Sequence, residues 1–264
     1  MNDVSQENAG SHPPGDTPQG VLRLGLVAAT DIGLRRSTNE DSYALLPERR
    51  MLAVADGIGG AAAGEVASQI FTDTTRELFA APLITEEEVL ARVQEAFRLA
   101  NERIREYASR DPRFKDMGCT AEVLAFFGER FILGHVGDSR TYLFRRGKLR
   151  QLTRDHSLVQ EQLEQGLLSA DQARTHVLRN VILRAVGASE SLAVDILRGK
   201  SLPGDILLLC SDGLHDMVED ERIQDIIAAQ EGIQSKTTRL IDAARSAGGY
   251  DNITAALCEI FISE

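Results

Sequence analysis

The sequence predicts an α+β fold in which antiparallel sheets are packed under helices. Two observations point there. Segments with strand character come in blocks, and a pair of amphipathic helices comes as a block between them. The regular strand–helix alternation that builds a parallel sheet is absent.

From the N-terminus, residues 1–20 are polar and rich in Pro and Gly, too poor in apolar surface to order themselves, and read as a disordered tail. Residues 21–264 then read as one globular unit without linker or repeat. Residues 21–29, 42–46 and 51–55 are expected strands, the last apolar on both faces. Residues 64–79 carry Val66, Ile70, Phe71 and Leu78 at helical spacing. In 85–107, Val89, Val93, Phe97, Ala100 and Ile104 form one stripe, opened by a Thr85/Glu88 capping box. Strands are expected at 119–127, 131–136 and 139–144, with a short piece to 152 and turns at Gly128 and Gly147. Short polar helices follow at 157–165 and 169–173, then an irregular stretch. Strands at 192–197 and 206–210, helices at 220–229 and 234–247, and a strand at 253–260 complete the chain.

Composition narrows the function. The chain has 264 residues, 43% hydrophobic and 26% charged, in the range of soluble globular domains. Its net charge of −11 argues against a nucleic-acid or anionic-membrane partner, which the average surface would repel. An anionic substrate must be drawn in locally, by metal ions or a few arginines. The cysteines, Cys119, Cys210 and Cys258, are odd in number and fit no zinc spacing, which points to a reducing compartment. No segment approaches the ~18 apolar residues of a membrane span, and Asp3 and Glu7 stand where a signal peptide would be basic. The expected location is cytoplasmic.

The chemistry lies in where aspartates fall. Strand 51–55 ends in Asp56-Gly57, strand 131–136 in Gly137-Asp138, and strand 206–210 in Ser211-Asp212-Gly213. Asp251-Asn252 precedes the last strand, and Asn39-Glu40-Asp41 precedes the second. Each of these taken singly is equally a turn former. Together, at the ends of the most apolar strands, they would be costly to bury without partners. A shared cation supplies a partner to several at once, and an adjacent Gly lets the main-chain carbonyl approach it. Carboxylate and carbonyl ligands without imidazole or thiolate suit Mg²⁺ or Mn²⁺ rather than zinc. Two such ions held by a bridging carboxylate would activate a water for in-line attack on phosphorus.

Seven motifs now stand in order: Arg36-Ser-Thr-Asn-Glu-Asp41, Val54-Ala-Asp-Gly-Ile-Gly-Gly60, Met117-Gly-Cys-Thr120, Val136-Gly-Asp-Ser-Arg140, Leu152-Thr-Arg-Asp-His-Ser157, Cys210-Ser-Asp-Gly-Leu214 and Asp251-Asn-Ile-Thr254. In this order the sequence resembles the Mg²⁺/Mn²⁺-dependent Ser/Thr protein phosphatases of type 2C, in their compact bacterial form. The resemblance implies a four-layer α-β-β-α sandwich with a binuclear metal centre at one end. It implies that Asp56 bridges two Mn²⁺ or Mg²⁺ ions, that Gly57 lends its carbonyl, and that Asp212 and Asp251 hold the other side. Glu40 and Asp41 would orient metal-held waters, and Asp138 would help hold a third, weaker ion. Arg36 would bind the substrate phosphate through its planar fork. Residues 155–187 would form a flap beside the site. Asp41, Asp56 and Asp212 are thus the expected catalytic set. The implied reaction is hydrolysis of phosphoserine and phosphothreonine in proteins by a metal-bridging hydroxide, without a covalent enzyme intermediate. The implied partners are phosphorylated proteins, among them a cognate Ser/Thr kinase and its targets.

Two departures matter. Many eukaryotic members carry His where Ile58 stands, as acid for the leaving alkoxide. Ile58 donates no proton, which leaves a water held by Asp41 or Asp138, or His156 in the flap, as candidates. His135 and His176 read as structural or exposed, and Val177 replaces a common Pro. Rival readings fare worse. Gly57 to Ala62 loosely fits a dinucleotide-binding turn, but Asp56 would face the pyrophosphate, and the acid about 20 residues on, Glu77, lies inside a helix. No Cys-x5-Arg and no P-loop is present. A phosphoprotein-binding pseudophosphatase would be expected to have lost a metal carboxylate, and all are in place.

Overall fold

A computed structural model describes residues 21–59 and 63–263, so the expected tail over 1–20 lies outside the described residues. In chain order the first strands are β1 (Val21–Asp31), β2 (Asp41–Leu46) and β3 (Met51–Ile58), followed by helices α1 (Ala63–Phe79) and α2 (Glu86–Arg110). Next come β4 (Gly118–Cys119), β5 (Ala121–Phe127), β6 (Arg130–Val136), β7 (Arg140–Arg145) and β8 (Lys148–Gln151). Short helices α3 (Leu158–Glu164) and α4 (Ala170–Thr175) precede β9 (Asp195–Lys200) and β10 (Ile206–Cys210). Helices α5 (Asp212–His215), α6 (Asp220–Ala228) and α7 (Ile233–Ser246) lead into β11 (Ile253–Ser263). One sheet has the order β1-β11-β10-β7-β8 and the other β2-β3-β5-β6-β9, with β4 beside β3. Every pairing between these strands is antiparallel.

Side-chain alternation turns the two sheets into four layers. Successive residues of a strand point to opposite faces. On β3, Leu52 and Val54 meet Leu207 and Leu209 of β10 and Ala256 and Cys258 of β11 in a layer between the sheets. The alternate residues Met51, Ala53 and Ala55 pack outward against Phe71 of α1 and Val93 and Phe97 of α2. On the far side, Ile206, Leu208 and Cys210 pack against Ile223 and Ile227 of α6 and Leu240 of α7. Central strands are therefore apolar on both faces although the sheets are antiparallel. This is the α-β-β-α sandwich, and no helix among the described residues is long and apolar enough to cross a membrane.

Local chemistry sets the element ends. Thr85 and Glu88 cap α2 reciprocally, as the capping box requires. The β7–β8 hairpin turns on Arg146 and Gly147, both at positive φ (53° and 78°), the two-residue turn whose twist matches the strands. Several element ends lie a few residues from expectation, and three differences bear on the site. The segment 119–127 is interrupted at Thr120, because β4 pairs with Gly57 and Ile58 and so extends β3 past Asp56. The strand expected at 192–197 starts at Asp195, where pairing with β6 begins. Ser211 leads into a single unforeseen turn of helix, α5.

Register brings the acidic strand ends together. The end of β3 lies beside the start of β2 (Asp56↔Asp41), the start of β5 beside the end of β6 (Ala121↔Val136), and the end of β10 beside the starts of β7 and β11 (Cys210↔Arg140 and Ala255). One end of each sheet therefore collects the Asp-bearing connections. Leu133 is fully buried between the sheets. Leu133→Ala should lower the unfolding free energy by about 2–5 kcal/mol in urea titration. A loss below about 1 kcal/mol would show that the two sheets do not enclose a packed layer there.

Candidate metal centre

Asp41 opens β2 and stands directly across the ladder from Asp56 on β3. Two like charges in that position repel and destabilise the pair. Asp138 occupies the β6–β7 connection, Asp212 opens α5 after β10, and Asp251 precedes β11. Burial and neighbouring carboxylates raise several of these groups. Burial, then Asp41, Asp212, Asp138 and Asp251, raise the Asp56 carboxyl well above its ordinary range. Burial, then Asp138 and Asp251, do the same to Asp212. Asp138 is raised to about 6, mainly by burial, with His215 acting in the opposite direction. Asp41 is also raised to about 6 by burial, against hydrogen bonds from Thr254 and Ser211.

The hydroxyls and amides around this cluster hold its geometry. Ser211 and Thr254 each donate to Asp41 Oδ2 at 2.7 Å, and Ser211 Oγ accepts from the Thr254 N–H at 3.0 Å. Thr120 brackets Asp56: its N–H donates to the Asp56 carbonyl at 2.8 Å, and its Oγ1 accepts from the Asp56 N–H at 3.1 Å. Asn252 fastens the loop that carries Arg36. Its Nδ2 donates to the carbonyls of Ile32 (3.0 Å) and Thr38 (2.9 Å), and its Oδ1 accepts from the Glu40 N–H (2.8 Å). The Glu40 carbonyl accepts from Gly57 N–H and from Ser68 Oγ. A Cβ at Gly57 would stand 2.2 Å from the Gly64 carbonyl oxygen, so only glycine permits this approach of β3 to α1.

These residues fit a divalent metal. Asp41 Oδ1 and Asp212 Oδ1 are buried and have no hydrogen-bond partner. A buried acceptor left unpaired is costly, and a cation satisfies it. The available donors are oxygens, which suits Mg²⁺ or Mn²⁺. Among the described residues no three Asp, Glu, His or Cys side chains close on a single point. An ion here would complete its shell with water and main-chain carbonyl, as these hard cations commonly do.

The structure places each expected residue at this end. Arg36 is half exposed at the rim and forms an ion pair with Asp251 at 2.6 Å, rather than standing free. Glu40 is half-buried beneath it, its carboxyl raised mainly by burial. Asp138 and Asp212 also line a cleft of about 640 Å³ together with Ser157, Val159, Leu163 and Arg174 of the expected flap.

His156 does not fill the role of proton donor considered for it. It is buried, and it exchanges two hydrogen bonds with Gly137: its N–H donates to the carbonyl at 2.7 Å, and its Nδ1 accepts from the Gly137 N–H at 3.0 Å. Its Nε2 lies 3.2 Å from Asp195 Oδ2. Burial, with His135 close by, lowers it to about 4, so the ring is neutral and fixes the turn before Asp138. His135 is structural as expected, buried between Glu122 and the Arg154 carbonyl. His176 accepts from the Leu178 N–H in the flap. His215 escaped the sequence reading: its Nε2 donates to the Asp138 carbonyl at 3.0 Å. The one available signal was its place one helical turn after Asp212. The positioning roles of Ser211, Thr254, Thr120 and Asn252 were also missed, although each lies inside a motif that had been singled out.

Comparison with known proteins agrees with this architecture. Residues 35–258 match the family model described as Protein phosphatase 2C. The chain is 38% identical over 243 residues to the serine/threonine protein phosphatase PstP of Mycobacterium tuberculosis, covering 91% of this chain and 46% of that protein. It thus spans about half the length of that relative. It is 37% identical over 235 residues to the protein phosphatase PhpP of Streptococcus pneumoniae, covering 86% and 94% of the two chains. The crystal structure of the catalytic domain of PstP in complex with 2 manganese ions superposes with a TM-score of 0.84 at 36% identity, covering 91% of this chain and 99% of that one. Sandwich, strand-end carboxylates and matched sequence agree: the chain belongs to the protein phosphatase 2C family.

Proposed function

We propose that residues 21–264 act as one catalytic unit that hydrolyses phosphoserine and phosphothreonine in proteins. The observation that carries this reading is the gathering of Asp41, Asp56, Asp138, Asp212 and Asp251 at one end of the sandwich, with Arg36 at its rim. Asp56, Asp212, Asp251 and the Gly57 carbonyl would hold two Mn²⁺ or Mg²⁺ ions, and Asp138 a weaker third. When bound, such ions supply an acidified water and neutralise charge on phosphoryl oxygens.

The chain's own groups do the rest. Asp41, fixed on Oδ2 by two hydroxyls, keeps Oδ1 free to accept from a water and orient it. Glu40 contributes a second acceptor at the rim. Arg36 exchanges Asp251 for phosphoryl oxygens, and its planar fork grips two of them. An ion on Asp251 and a phosphate on Arg36 therefore support each other, since each relieves the other's competitor. With Ile58 apolar and His156 committed to Gly137, the proton for the leaving alkoxide comes from a water ordered by Asp41 or Asp138. The three cysteines are buried and their thiols are raised by burial, which disfavours a thiolate nucleophile. Partners are phosphorylated proteins, with a cognate Ser/Thr kinase and its targets the natural set.

The test is initial-rate phosphate release from a phosphothreonine and a phosphotyrosine peptide with Mn²⁺, Mg²⁺ or EDTA. Release from phosphothreonine should require metal and exceed that from phosphotyrosine. Asp212→Asn should reduce it by at least about a hundredfold, since altering even the groups behind a ligand costs 10–100-fold. Near-normal turnover in that variant would contradict the ligand assignment, and phosphopeptide binding without release would favour the pseudophosphatase. Arg36→Ala should raise KM about tenfold with a smaller change in kcat, because it removes a charge-assisted phosphate contact. An unchanged KM would remove Arg36 from the phosphate site.

A further inference from the structure

Arg35, next to the phosphate arginine, has a different environment. Two loops meet at the rim, 32–40 and 247–252. The Leu34 N–H donates to the Gly249 carbonyl at 2.7 Å, and Asn252 ties down Ile32 and Thr38 on either side. The segment holding Arg35 and Arg36 is thus fixed at both flanks. Arg36 is paired with Asp251, and nearby Arg245 lies 3.5 Å from Asp31. Among the described residues Arg35 has no carboxylate partner; its guanidinium carbon lies 5.6 Å from the centroid of the Tyr250 ring. Tyr250 and Leu34 are each 57% exposed and Ile32 38%, so the stacked pair sits in an exposed apolar rim.

In a chain of net charge −11, an exposed arginine without a carboxylate partner beside the phosphate site is a local cation with an open valence. A guanidinium held against an aromatic face keeps in-plane N–H donors available for a carboxylate. Its Cα is about 3.8 Å from that of Arg36, and an extended peptide advances about 3.3 Å per residue. A side chain one or two residues from a phosphoresidue held by Arg36 therefore comes within reach of Arg35.

We infer that Arg35, seated on Tyr250 with Leu34 beside it, is a specificity residue that binds an acidic side chain within two residues of the phosphoresidue in a substrate peptide. The inference rests on the phosphatase reading above and adds the substrate's local sequence to it.

The test uses phosphothreonine peptides identical except for Glu, Ala or Lys at the flanking positions, on either side, with Mn²⁺. Wild-type kcat/KM should favour the Glu peptide over the Lys peptide by about fivefold, the scale of one exposed ion pair. Arg35→Ala should bring that ratio close to one, and Arg35→Glu should invert it. A wild-type ratio of one, or a ratio unchanged in Arg35→Glu, overturns the inference while phosphate release itself upholds the phosphatase reading. If Arg35→Ala slows p-nitrophenyl phosphate as much as the Glu peptide, Arg35 grips the phosphoryl group instead, and the inference is again overturned. Wild type that releases phosphate from no peptide refutes the phosphatase reading, and the inference falls with it.

Discussion

Asp56 faces Asp41 across the β2–β3 ladder, with Asp138, Asp212 and Asp251 close enough to push its carboxyl toward protonation. A protein has few ways to tolerate such a group. It can neutralise the carboxyls with protons, pair them with basic side chains, or bind cations. Here Arg36 reaches Asp251, while buried oxygens of Asp41 and Asp212 have no hydrogen-bond partner. The unpaired carboxylate charge at this end of the sandwich is the constraint that the surrounding hydrogen bonds and the proposed metal binding both answer.

The scaffold holds these groups because it is packed on both sides. Four layers bury both faces of β3 and β10, so the strand ends that present Asp56 and Asp212 are anchored by Leu52, Val54, Leu207 and Leu209. Neutral groups then fix the charged ones. Ser211 and Thr254 orient Asp41, Thr120 brackets the Asp56 main chain, His156 fixes Gly137 before Asp138, and Asn252 carries the arginine loop. Hydroxyls and amides can satisfy these polar atoms without adding net charge that would compete with a metal ion.

The layers and the acidic strand ends were legible in the sequence because each leaves a periodic or positional mark. Apolar runs ending in Asp-Gly or Gly-Asp need no tertiary information to be seen. The break at Thr120 was not legible, because it arises from pairing of β4 with β3, a long-range contact. His156 looked like a free acid in the sequence, since nothing local shows that its ring nitrogen accepts from Gly137. The ion pair of Arg36 with Asp251 joins residues 215 positions apart, and so does not register in any local pattern.

The proposed catalysis rests on metal binding to the wild-type carboxylate cluster. Calorimetric titration with Mn²⁺ of wild type and of Asp56→Asn, both confirmed folded by circular dichroism, measures it without reference to turnover. The proposed metal centre should take up two well-resolved Mn²⁺ equivalents on wild type, the number in the related PstP catalytic domain, and lose tight binding in the variant. No saturable binding to wild type, or the same binding in Asp56→Asn, would contradict it.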